Sequence, residues 1–83
     1  MSTKIDRRED VNPKEGERTY GDVEFADPTN KKYPIDTPGH VRAAWSYIHQ
    51  EDNAAKYDPD EVEAIKGRIR RAAEKHGVEI ESE

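Results

Sequence analysis

Apolar positions along the chain fall into three regimes. Up to residue 19 they have no period: beyond Met1 the only aliphatic residues are Ile5 and Val11, and there is no ring. From Val23 to Ile35 the spacing is two. Val23 and Phe25 alternate with acids, and Tyr33 and Ile35 share a face if the chain returns extended. Asp27-Pro28-Thr29-Asn30 between them is turn chemistry, because Pro28 presets its φ and Asp27 accepts from nearby backbone. The stretch 22–35 is therefore expected to be a short β-hairpin or an extended flap, with Pro34 barred from a central ladder position.

After residue 36 the spacing turns helical. Val41, Ala44, Trp45 and Ile48 follow i, i+3, i+4, i+7 behind a Thr37 cap with Pro38 at the first helical position, which predicts a helix over about 38–50. Asp58-Pro59-Asp60-Glu61 is a stronger start signal, with the glutamate placed to complete a capping box. Val62, Ile65, Ile69, Ala72 and Ala73 then line one face. Lys75 and His76 occupy the last turn, and Gly77 follows where a left-handed stop is wanted, so the second helix is predicted at 59–76. Gly67 falls opposite the apolar face. Val78 and Ile80 alternate with glutamates in a short extended tail that pairs with the flap or lies along the helices.

The expected fold is mainly α: a two-helix core, a flap over 22–35 and an extended C-terminal tail. Its core is predicted as Phe25, Tyr33, Ile35, Val41, Ala44, Trp45, Ile48, Tyr57, Val62, Ile65, Ile69, Ala72 and Val78, with Trp45 as the keystone. Tyr57 is expected to drop onto this core from a short turn over 54–57. Residues 20–81 make one small domain. Residues 1–19 carry five bases and five acids with almost nothing to bury. They are expected to be a disordered arm whose deletion leaves the fold intact.

Composition narrows the chemistry. The chain has no cysteine, which removes disulfides, thiolate nucleophiles and cysteine zinc sites. The net charge of −5 weighs against general nucleic-acid binding. No stretch approaches the ~18–20 apolar residues of a membrane span or the pattern of a signal peptide, so a cytoplasmic protein is expected. His40 and His49 lie nine residues apart, half a turn out of phase, and no HExxH is present. No metal site and no cofactor are expected. Ser46 faces away from His40, and two short helices build no deep cleft for a carboxylate pair, so the chain is not read as an enzyme.

His40 sits at the third helical position, where a positive charge opposes the dipole. It is expected to stay neutral and to hydrogen-bond Asp36 or a loop carbonyl beside Tyr47. Lys66, Arg68, Arg70, Arg71 and Lys75 flank the apolar stripe of the second helix, where long stems cover core edges.

Three runs resemble one another's company in a known group. Lys31-Lys32-Tyr33-Pro34-Ile35-Asp36-Thr37, His40 through Ile48 and Asn53-Ala54-Ala55-Lys56-Tyr57 are similar to a family of small helical domains of unknown function found in short bacterial and phage-related proteins. Ile65-Lys66, Arg68-Ile69, Ala72-Ala73 and His76-Gly77 extend the resemblance to about 24–80. Gly39 and Gly67 depart from it, and the arm 1–19 and the acids around Val23 lie outside it. The resemblance implies a module used as a component and carries over no catalytic residue.

The function read from these features is a non-catalytic protein-interaction module, monomeric, with an unidentified protein partner. Its expected surface is the border of the first helix, with His40, Tyr47 and Tyr57 central and Arg71 or Lys75 at the rim. The alternative is a nucleic-acid-associated accessory protein using the basic flank of the second helix.

Overall fold

A computed structural model describes residues 5–80. In chain order the elements are α1 (Pro13–Tyr20), β1 (Phe25–Asp27), β2 (Lys32–Pro34), α2 (Pro38–Ile48), α3 (Glu51–Ala54) and α4 (Pro59–His76). The fold is mainly helical with one small antiparallel sheet, as the patterning predicts. α2 and α4 pack on each other, and β1 and β2 lie across them to close the core.

The start signals act as expected. Thr37 Oγ1 accepts from the His40 backbone N–H at 3.1 Å. Asp58 and Glu61 form a capping box, with Glu61 Oε1 accepting from the Asp58 N–H at 2.8 Å. At the other end of α4, Gly77 takes φ 66°, and its N–H and that of Val78 close onto the Ala73 carbonyl. The helix predicted at 38–50 stops at Ile48. His49 Nδ1 donates to the Trp45 carbonyl at 2.7 Å, and Gln50 turns extended to start the short α3. A side chain thus takes over a carbonyl that helix continuation would have used.

The flap is a true hairpin with Phe25 opposite Pro34 and Asp27 opposite Lys32. All three residues of β1 are buried, without the alternation of a one-sided strand. α4 covers one face and Tyr20, at the end of α1, covers Phe25 on the other, their ring centroids 6.2 Å apart. Tyr33 holds φ 61°, a left-handed conformation costly for a ring-bearing residue, and in it the ring is buried against Tyr57.

The predicted core is present, with two adjustments. Val62 is half-buried at the margin, and Ile5, Ala26 and Ala73 join the interior. Ile5 brings the main correction. Residues 5–19, expected to be a disordered arm, are part of the fold; residues 1–4 of that arm and residue 81 of the tail lie outside the described residues. Ile5 is 2% exposed and Arg8 8%. The segment is held by polar contacts that apolar spacing does not register. The Asp6 N–H donates to Glu61 Oε2 at 2.7 Å and the Arg8 N–H to Asn30 Oδ1 at 2.6 Å. α1 follows, with Asn12 Oδ1 accepting from Lys14 N–H at 3.0 Å and Pro13 in the first turn.

Candidate functional site

The side chains under the hairpin make a buried polar network. Asp27 and Asn30 are both fully buried. Asp27 accepts from the Asn30 backbone at 3.1 Å, from Asn30 Nδ2 at 2.9 Å and from the Tyr57 hydroxyl at 2.6 Å. Three donors offset the cost of burying the carboxylate. Arg8 Nη1 donates to the same hydroxyl at 3.1 Å, while its other guanidinium nitrogens grip Asp10. The Asp10 contact, more than the Tyr57 contact, raises the Arg8 pKa against the opposing effect of burial. Burial first, then the bond to Asp27, pushes the Tyr57 phenol well above its usual range. Burial also raises Tyr33, whose hydroxyl is the one buried side-chain polar atom among the described residues without a hydrogen-bond partner.

This network anchors the floor of a groove. α1 has no buried residue, so it meets the body along an edge rather than by helix packing. Gly16 makes the closest approach: a Cβ there would lie 2.2 Å from the Lys31 carbonyl oxygen. The Lys31 ammonium stands 3.8 Å from Glu17, and Tyr20 meets His40 edge-on at 5.6 Å. Between α1 and α2, over β2, this leaves a groove of about 690 Å³. Tyr20 and Lys31 to Pro34 line it, with His40, Ala43, Ala44 and Tyr47 from α2. Tyr20 is 43% exposed and Tyr47 49%, the only large hydrophobic residues exposed among those described. His40 and Tyr47 are seven residues apart, so the α2 wall runs for roughly 10 Å.

The structure brings together some of the expected surface residues and separates others. His40 and Tyr47 line the same groove, and His40 Nδ1 lies 2.6 Å from Asp36 Oδ1 as anticipated. That bond is the main cause of an Asp36 pKa below the usual carboxylate value. The ring beside His40, however, is Tyr20 rather than Tyr47. Tyr57 is corrected outright: at 7% exposure, with its hydroxyl in the Asp27 network, it is an interior residue. The turn that carries it does return beside the core, but with the ring pointing inward onto Tyr33.

Arg71 lines a separate groove of about 320 Å³ with Val23, Phe25, Lys31 and Arg68, and Lys75 is exposed on α4 outside the Tyr47 groove. Arg68 on that basic flank donates to the Ala26 carbonyl at 3.3 Å. Sequence reasoning missed Tyr20 and Lys32 as groove residues. The available signal was Asn12-Pro13-Lys14-Glu15, a cap, a first-turn proline and a glutamate three after the cap, which announces α1 in the same way as 58–61 announces α4.

Among the described residues no group of three or more His, Cys, Asp or Glu is placed to hold a metal ion, and no helix is long and apolar enough to cross a membrane. The class these features define is a small helical domain with a β-hairpin and a surface groove walled by tyrosines. The chain belongs to a family of unknown function, DUF6582, whose model matches residues 1–83. The match takes in the first 19 residues, which the resemblance read from the sequence had left outside. No curated protein and no solved structure matches the chain.

Proposed function

We propose that this chain is a protein-interaction module that receives a segment of a partner protein in the groove between α1 and α2. The observation that carries the reading is the pair of half-exposed rings, Tyr20 and Tyr47, on a groove formed because α1 docks along an edge. Rigid amphipathic rings give large contact area at small entropic cost, which is why interfaces concentrate them. His40, tied to Asp36 and edge-on to Tyr20, holds the end of the groove in shape. The module acts without catalysis, as a cytoplasmic monomer and as a component of larger bacterial or phage-related assemblies.

The nucleic-acid alternative draws less support, because Arg68 is engaged with the Ala26 carbonyl and Glu24 shares the groove of Arg71. A photo-crosslinking side chain tests the proposal. Placed at Tyr47 in the native cell, it is expected to capture a discrete protein, and capture should fall when Tyr20→Ala is added. Placed at Ser46, exposed on α2 but outside the groove, it should capture none. Equal capture from both positions would contradict the assignment.

A further inference from the structure

The cations around the groove are not equivalent. Arg8 is paired with Asp10, Lys31 stands near Glu17, and His40 is bonded to Asp36. Lys32 lines the groove, is half-buried, and forms no ion pair among the described residues. Its ammonium lies 5.4 Å from the centroid of the Tyr33 ring, a partial substitute for a counter-ion. Burial, then the nearby charges of Arg8 and Lys56, lower its pKa, and Asp10 and Asp27 offset this only in part. Of the carboxylates lining the groove, Asp10 is committed to Arg8, and Glu15 sits in the first turn of α1, where the helix dipole favours it. The groove thus offers an exposed ring on each wall, Tyr20 and Tyr47, and one cation lacking an anion.

We propose that the occupant is an acidic peptide segment of a partner protein, with an aromatic or aliphatic side chain seated between Tyr20 and Tyr47 and an adjacent aspartate or glutamate carboxylate on Lys32. This rests on the groove being the interaction site and adds the chemistry that it selects. The acid provides the missing counter-ion, and the apolar side chain covers the exposed rings. A partly desolvated charge pair of this kind sets register and excludes basic sequences more than it adds raw affinity.

The test is selection of a random heptapeptide library displayed on phage against the full chain and its Lys32→Glu, Lys32→Met and Tyr47→Ala variants, each first checked for folding by circular dichroism. Wild type is expected to enrich sequences pairing an aromatic or aliphatic residue with an acid. Lys32→Glu should shift enrichment to bases, and a peptide selected on wild type should bind Lys32→Met about tenfold or more weakly. Enrichment that needs Tyr47 but is indifferent to acids would overturn this inference and leave the groove reading standing. Absence of any enrichment that depends on Tyr47 would overturn both. Sedimentation showing dimers that Tyr47→Ala dissolves would give the groove to a second copy of the chain and overturn the peptide assignment.

Discussion

Tyr57 and Tyr33 show how single residues couple the interior to pH. Both phenols are buried, and both have pKa values raised chiefly by that burial. A group whose folded pKa lies above its unfolded value contributes stability that is fully present below the unfolded value. For tyrosine that is near pH 10, and the stability is lost as pH rises beyond it. The fold is therefore expected to weaken above about pH 10. In an alkaline absorbance titration the tyrosinate of these two residues should appear together with loss of helix signal. Ionisation of all four tyrosines with the helix signal unchanged would contradict the placement. Tyr57 was legible as a core residue because it ends a short turn, 54–57, between two helices with apolar faces. Its hydroxyl partners were not, since Asp27 and Arg8 reach it across 30 and 49 residues of sequence. Spacing rules see only positions a few residues apart.

At the scale of elements, α2 and α4 were readable because cap, proline and apolar stripe agree in each. α1 was not, because it carries caps without a stripe: it buries no residue, so there is no period to find. The difference shows in their glycines. At Gly67 in α4 an added Cβ meets nothing within 4 Å, so Gly67→Ala should raise stability by ~0.5–1 kcal/mol through helix propensity. At Gly16 in α1 the same change drives a methyl into the Lys31 carbonyl. Overpacking costs ~1–3 kcal/mol, and a contact this short belongs at the upper end, beyond the ~1 kcal/mol helix gain. Gly16→Ala should therefore lower stability or lift α1 from β2. Denaturant melts of the two variants are expected to move in opposite directions. A rise in both would show that α1 does not rest on β2 as described, and a fall in both would show that residue 67 is not on an open helix face.

On the scale of the whole molecule, residues 5–8 are built into the body of the fold. Ile5 enters the core, the Asp6 N–H binds Glu61 at the start of α4, and Arg8 joins the hairpin to the Tyr57 turn. One short segment thereby ties together the cap of the longest helix and the floor of the groove. A chain lacking residues 1–9 should lose ~3 kcal/mol or more, from the Ile5 cavity and the donors removed from Asn30 and Tyr57. Urea melts would register this as a lower midpoint, and an unchanged midpoint would restore the independent arm that composition suggests. The groove shares this dependence. One of its walls, with His40 and Tyr47, was legible on α2, whereas Tyr20 and the Lys32 floor come from elements whose placement rests on that segment.

The central claim is that the groove between α1 and α2 is the interaction surface. Amide chemical-shift mapping on the ¹⁵N-labelled chain tests it most directly, using the protein captured through Tyr47 as titrant. The account predicts that the shifted amides cluster at Gly16, Tyr20, Lys32, His40 and Tyr47, with α4 little changed. Shifts concentrated on Arg68, Arg71 and Lys75 while the groove stays silent would contradict it.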